Sequence, residues 1–135
     1  MGNRAVIAFE DNPDVGIYLH WNGGLESVLA FIDETAARMD HEREGQYTLA
    51  RLTQTIGDFF APDYTLSLGI GPTKQLDRDN GNNGTYWLRG LRIWYREYVP
   101  ECERKRISVG DLNSEELEGY TAIRKILAKR QVKAA

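Results

Sequence analysis

The sequence predicts one α+β domain, in which a mostly antiparallel sheet of hairpins packs with two to three helices. Short aromatic and β-branched runs alternate with clusters of turn-forming residues, as in hairpins. Three longer stretches place apolar residues three and four positions apart, as in amphipathic helices. The length of 135 residues fits a single domain over 1–135.

The first predicted elements are a β-hairpin and a helix. Strands are expected at 5–9 and 15–21. They should form a hairpin, because the segment between them, Asp-Asn-Pro-Asp, is rich in turn formers. Asn22-Gly23-Gly24 then turns the chain into a helix over 25–39, with Asn22 or Gly23 as its expected cap.

The middle of the chain predicts a second helix and a third strand. The buried stripe of the helix runs over 49–60, and Pro62 ends it. Residues 65–70 alternate between apolar and other residues with period two, which predicts a strand that Pro72 closes.

A second hairpin is expected from strands at 85–88 and 91–99, with the turn at Arg89-Gly90. Simple alternation divides the second of these strands into two faces. One face then carries Leu91, Ile93, Tyr95 and Val99, and the other carries Arg92, Trp94, Arg96 and Tyr98.

The C-terminal part predicts a charged linker at 100–106, a short strand at 107–109 and an amphipathic helix over 112–131. Asn113 and Glu116 have the spacing of a capping box. Every charged residue after Glu118 is basic. Because the helix also carries one apolar stripe, we expect it to pack on the sheet or to pair with a second copy in a homodimer.

Composition restricts the environment and the partners. A net charge of −3 disfavours a dedicated nucleic-acid-binding protein, whose domains are usually basic. The single Cys102 excludes an intramolecular disulfide framework and favours a reducing compartment. No apolar run is long enough to span a bilayer, and no signal-peptide pattern is present. We therefore expect a cytoplasmic protein with no membrane partner.

Several stretches carry a resemblance to known sequences. The opening MGNRAVI and the run YLHWNGG at 18–24 resemble a family of small, uncharacterised phage, prophage and mobile-element proteins. Residues 50–60 and 76–84 are similar to that family as well, so the resemblance covers the chain up to about residue 90. It implies a mobile-element setting, and the host cytoplasm if the protein is phage-encoded. It brings no catalytic residues to this sequence.

The junction of His20, Trp21 and Asn22 is the first candidate site. Histidine titrates near neutral pH and acts as a base, a donor or a metal ligand, and the adjacent indole can stack on a partner. The alternative is a strand end whose side chains bond locally while the glycines supply a turn. We favour the alternative, because no carboxylate or second histidine is tied to His20 by spacing.

The loop at 77–84 is the second candidate. Asp77 and Asp79 among asparagines and glycines offer oxygen ligands for a hard cation such as Ca²⁺. The ligand order fails the EF-hand pattern, so we favour a connection built from Asn-Gly turns and predict no metal.

The strands with interleaved arginines and aromatic residues are the third candidate. The residues predicted to make contacts here are Trp87, Arg92, Trp94, Arg96 and Tyr98. Such a surface can bind nucleic acid by stacking and phosphate contacts, or it can form the hot spot of a protein interface. A solvated sheet face is the equally weighted alternative.

Three functions remain open from the sequence. The favoured one is a non-enzymatic phage accessory protein that binds and modulates a host protein, in defence inhibition or host takeover. The second is a small enzyme or nucleotide-binding protein that uses His20 with carboxylates from Asp77 or Asp79. The third is a nucleic-acid-binding protein that uses the arginine-bearing strands. No sequence motif indicates a cofactor.

Overall fold

The centre of the fold is a six-stranded mixed sheet whose middle position is taken by the first strand. The computed structural model describes residues 2–39, 46–63, 67–98, 102–103 and 105–131. The strands are β1 (Ala5–Phe9), β2 (Val15–Leu19), β3 (Leu68–Pro72), β4 (Thr85–Arg89), β5 (Arg92–Glu97) and β6 (Cys102–Glu103). The helices are α1 (Leu25–Arg38), α2 (Gln46–Phe60) and α3 (Ser114–Gln131). The predicted α+β class is confirmed.

The strand order in the sheet is β3-β2-β1-β4-β5-β6. Both predicted hairpins, β1–β2 and β4–β5, are present as antiparallel pairs. The only parallel pair among the described strands is β1 with β4, in the register Val6 to Thr85 through Phe9 to Leu88. The sheet is therefore mostly antiparallel, as the sequence predicts, but its central pairing joins distant parts of the chain.

The three helices share one core with the sheet. Side chains from alternate positions of β1 and β2 meet α1, which is buried on nearly all sides because α3 and α2 contact it as well. The largest fully buried core side chains include Phe9, Ile17, Leu19, Phe31, Ile32, Leu52, Ile56, Leu88 and Leu127. Each contributes about 1.5–3 kcal/mol when it leaves water, so this layer supplies most of the driving force.

A buried ion network connects the same three helices. The Glu34 carboxylate on α1, whose side chain is only 4% exposed, lies 3.3 Å from Arg38 Nε and 3.0 Å from Arg124 Nε on α3. Arg38 also donates to Asp58 on α2 at 2.9 Å and to the Leu127 carbonyl of α3 at 2.9 Å. Glu34 thus links α1 to α3 directly, and Arg38 extends the network to Asp58 of α2.

The segment at 73–84 crosses the face of the sheet opposite the helices, because it connects β3 at one edge to β4 beyond β1. It begins with a 3-10 turn, Thr73–Gln75. Leu76 then lies close to Gly16 and Gly71, where an added Cβ would come within 3.1 and 3.5 Å of its methyl groups. This explains why β1 is buried on both faces.

Some predicted boundaries differ from the structure. β2 ends at Leu19 rather than at residue 21, and residues 65–66 of the third predicted strand lie outside the described residues. The predicted strand at 107–109 is wrong: Ile107 forms an isolated bridge with Ile93, and Val109–Asp111 is a 3-10 turn.

The C-terminal helix begins at Ser114, two residues after the predicted start at residue 112. The capping box is confirmed, because the Asn113 side chain accepts from the Glu116 N–H and the Glu116 carboxylate accepts from the Asn113 N–H. Within the described helices, none is both long and apolar enough to cross a membrane.

Candidate binding surface

The His20 junction is held by local contacts. The Tyr18 hydroxyl lies 3.1 Å from His20 Nδ1, and the Trp21 ring meets the imidazole edge-on with centroids 5.4 Å apart. The backbone N–H of Trp21 donates to the Ser67 hydroxyl at 3.0 Å. Trp21 is 47% exposed, so its indole is the part of this junction most available to a partner.

The turn after Trp21 is shaped by the strands beneath it. Asn22 adopts a left-handed φ of 59°, which asparagine tolerates, and its amide donates to the Ser27 hydroxyl. The Gly23 carbonyl accepts from the Tyr86 hydroxyl at 2.8 Å, and a Cβ on Gly23 would lie 2.5 Å from the Asn3 carbonyl oxygen. The expected cap is wrong by position: Gly24 is the N-cap of α1, without a side-chain bond.

One of the two carboxylates proposed to assist His20 has another partner. Asp77 forms an ion pair with Arg4 at 3.6 Å. Burial raises the pKa of the Tyr18 hydroxyl, with Arg4 opposing and Asp77 adding to the rise. Among the described residues, no carboxylate forms an ion pair with His20. The second histidine, His41, lies outside them.

The loop at 77–84 is organised by the buried side chain of Asn80. Its Oδ1 accepts from the N–H groups of Asn82, Asn83 and Gly84, each at 3.1 Å. Its Nδ2 donates to the carbonyls of Asp77 and Gly84. The amide oxygen that a cation would need is therefore already used, and the described residues contain no cluster of three metal-ligating side chains.

The arginine and aromatic strands differ most from the prediction. The pairing between β4 and β5 shifts at Trp87 and Leu88, so that Trp94 is an extra residue in β5. Tyr95 consequently stacks on Trp87, with centroids 6.1 Å apart, on the face opposite the helices. The predicted division of β5 into two faces is wrong from Tyr95 onward, and Val99 lies outside the described residues.

Three of the predicted contact residues are engaged within the fold. The Arg96 guanidinium lies 4.5 Å from the Tyr86 ring centroid and 4.9 Å from that of Tyr98, and it donates to the Asn83 carbonyl. The Trp87 indole N–H donates to Glu97 at 3.1 Å. Trp87, Arg96 and Tyr98 therefore stabilise the sheet and its crossing loop.

Trp94 instead forms the centre of an outer depression of about 210 Å³. The guanidinium carbons of Arg89 and Arg106 lie 4.3 and 4.5 Å from its ring centroid. The Arg89 side chain is also paired with Glu10 at 2.7 Å. We call the patch formed by Glu10, Arg89, Trp94, Tyr95 and Arg106 the Trp94 surface.

Next to the Trp94 surface is a larger cavity of about 420 Å³, which we call the α1 groove. Its apolar lining comes from α1, from β5 with the preceding turn, and from the segment after the charged linker: Leu29, Ile32, Ala36, Leu91, Ile93, Ile107 and Val109. Its polar border consists of Asp33, Arg92, Arg106 and Ser108. Arg106 lines both features, so they adjoin at this residue: the groove lies on the helix side of the sheet, and the Trp94 surface includes Tyr95 of the opposite face.

Of the residues that line the α1 groove, the sequence identifies only Arg92 as a contact residue. The only local signal is the apolar pair Ile107 and Val109 following a charged linker, which suits a strand equally well. Nothing in the spacing places these residues beside α1.

No family model, no curated protein and no solved structure matches this chain. Exposed guanidinium groups, an indole and an adjoining apolar groove are the features enriched at the centres of protein interfaces.

Proposed function

We propose that the protein is a non-enzymatic accessory protein that binds another protein through the Trp94 surface. The observation that carries this proposal is the Trp94 ring contacted by two guanidinium groups beside a 420 Å³ apolar groove. Tryptophan and arginine are the residues most enriched in interface hot spots, and an adjacent groove gives a partner side chain a dry site.

A protein partner fits this surface better than nucleic acid does. Arg89 and Arg106 already contact the Trp94 ring, which leaves less of that ring for a nucleobase to stack on. Arg89 is also paired with Glu10, and Arg96 is directed at two tyrosine rings. A net charge of −3 adds to the electrostatic cost of approaching phosphates.

The enzyme hypothesis has one observation in its favour, the 3.1 Å contact between Tyr18 and His20. General acid–base catalysis needs in addition a positioned partner within reach of a substrate. Of the two carboxylates proposed for that role, Asp77 and Asp79, the first is paired with Arg4. A binding role is therefore the better account of the described residues.

The proposed setting is a phage or another mobile element, and the proposed partner is a protein of the host cytoplasm. The support for this is the resemblance of MGNRAVI and YLHWNGG to mobile-element proteins. Proteins of this kind would act by occupying a surface of the host protein, in defence inhibition or in redirecting host machinery.

The test is a substitution of the Trp94 surface. Trp94→Ala combined with Arg89→Glu should weaken binding of a captured host protein by about 30-fold or more, because hot-spot truncations cost about 2 kcal/mol or more. Affinity capture from host lysate followed by titration of the purified partner measures this. Lys125→Glu, on an exposed position of α3, is the matched control and should bind like the wild type. A partner that both variants retain equally, or no saturable partner at all, would refute the proposal.

We also propose that the chain forms a homodimer through the free edge of β3. The bonds from His20 N–H to the Ser67 carbonyl and from Thr73 N–H to the Asp14 carbonyl set the hydrogen-bonding alternation along this strand. That alternation directs the backbone groups of Leu68 and Ile70 away from β2. Ile70 is 53% exposed, and glycines flank it on both sides. A symmetric antiparallel pairing centred on Ile70 would satisfy both backbone groups of Ile70 and the Leu68 N–H, whereas the Leu68 carbonyl would face Pro72 of the second copy, which has no N–H to donate.

The dimer is tested by sedimentation of two lysine variants. Ile70→Lys should convert a wild-type dimer to monomer, because a charge would be buried beside its own symmetry mate. Ile126→Lys, at an exposed apolar position of α3, should remain dimeric. A monomeric wild type would overturn the proposal, and loss of the dimer only in Ile126→Lys would move the interface to α3.

A further inference from the structure

We infer that the α1 groove binds an acidic peptide segment that inserts a bulky apolar side chain between α1 and β5. This inference rests on the proposed function, since it specifies the chemistry of the partner. The cavity of about 420 Å³ falls within the roughly 300–1,000 Å³ range of sites that enclose ligand groups. Its lining is largely aliphatic, which favours an apolar side chain of the bound peptide.

The charged residues on the border determine which charge the bound peptide should carry. Arg92 is exposed, and neither Arg92 nor Arg106 forms an ion pair with any residue in the described part of the chain. Two guanidinium groups beside one cavity can bind carboxylates in a planar, bidentate manner. The segment that enters the groove therefore carries aspartate or glutamate next to its apolar residue.

The one carboxylate on the border, Asp33, is already satisfied. It accepts a hydrogen bond of 2.6 Å from the Tyr120 hydroxyl, which in turn accepts from Arg124 at 2.7 Å. Burial, followed by the bond to Asp33, raises the pKa of Tyr120, so this hydroxyl remains a donor at neutral pH. Asp33 is thus tied to the helix side of the groove, and since Arg92 and Arg106 outnumber this single carboxylate, the net charge of the border is positive.

Two neighbouring alanines of α1 provide a matched pair of variants. Ala36 lines the groove and is exposed, so Ala36→Trp would fill the cavity without displacing a core side chain. Ala37 is also exposed but does not line the groove, so Ala37→Trp adds the same ring elsewhere on the same helix. Arg92→Glu with Arg106→Glu reverses the charge of the border.

The experiment is selection from a random peptide library on the full-length protein, followed by fluorescence polarisation with a labelled peptide that was enriched. The wild type should enrich peptides that combine acidic residues with a large apolar residue. Ala36→Trp and the double charge reversal should each weaken binding of that peptide at least about tenfold, and Ala37→Trp should leave it unchanged. Added salt should weaken binding to the wild type.

The inference would be overturned if the selection enriched no peptides, or enriched peptides without an acidic bias. Equal binding of the peptide by Ala36→Trp and Ala37→Trp would overturn it as well. The outcome is separable from that of the proposed function. A host partner lost on substitution of Trp94 and Arg89 but retained by Ala36→Trp would refute the groove alone. Groove-dependent peptides without any host partner would refute the proposed function alone.

Discussion

Glu34→Ala is expected to lower the free energy of unfolding by about 3 kcal/mol, since removing one partner of a buried ion pair costs about 3–5 kcal/mol. The lower end applies because the guanidinium groups of Arg38 and Arg124 are partly solvated, with side chains 19% and 30% exposed. The substitution leaves both cations facing a site from which water is largely excluded. Urea unfolding followed by tryptophan fluorescence measures the change.

Two further variants make the Glu34 result specific. Glu34→Gln retains the shape and part of the hydrogen bonding, so its loss should be smaller than that of alanine. Glu118→Ala, at an exposed position of α3, should change the unfolding free energy by no more than about 0.5 kcal/mol. If Glu34→Ala were no more destabilising than Glu118→Ala, the network would not hold the three helices together.

Asn80→Ala is expected to cost about 3 kcal/mol, because its buried side chain makes five hydrogen bonds that no other group replaces. Three backbone N–H groups lose their acceptor together, so the crossing segment should loosen over its last residues. Besides the unfolding free energy, amide hydrogen exchange at Asn82, Asn83 and Gly84 should accelerate.

The control for Asn80 is Asn12→Ala, in the turn between β1 and β2. The Asn12 side chain makes no hydrogen bond with any described residue, so its loss should be about 0.5 kcal/mol or less. Unchanged exchange at 82–84 in Asn80→Ala would show that the loop is ordered by its backbone alone.

The strands and helices could be predicted because each leaves a local period in the sequence. β1 and β2 alternate or run apolar between turn formers, and α1 repeats apolar residues at three and four. The bulge at Trp94 leaves no such mark, since one extra residue inside a strand is not signalled here by glycine or proline. The faces of β5 were therefore assigned wrongly from Tyr95 onward.

The candidate site was only partly predictable for a related reason. Trp94 and Arg92 stand out by residue type, and both lie on the proposed binding surfaces. The apolar lining of the α1 groove depends on how α1 sits against β5 and against the segment that contains Ile107. That packing is a tertiary property, and no local spacing encodes it. The same holds for Trp87 and Arg96, whose partners come from other strands and from the crossing loop.

The parallel pairing of β1 with β4 affects how the chain folds during its synthesis. β1 is synthesised just before β2 and can form its hairpin at once, but its other edge pairs with Thr85–Leu88, which follow about 80 residues later in the chain. At about 5–20 residues per second, that edge of Ala-Val-Ile-Ala-Phe stays open for several seconds. Native-like folding then waits on closure of a long loop, which makes it slow for a domain of this size. The nascent chain during this interval, rather than the finished protein, is the species most exposed to aggregation and to chaperones.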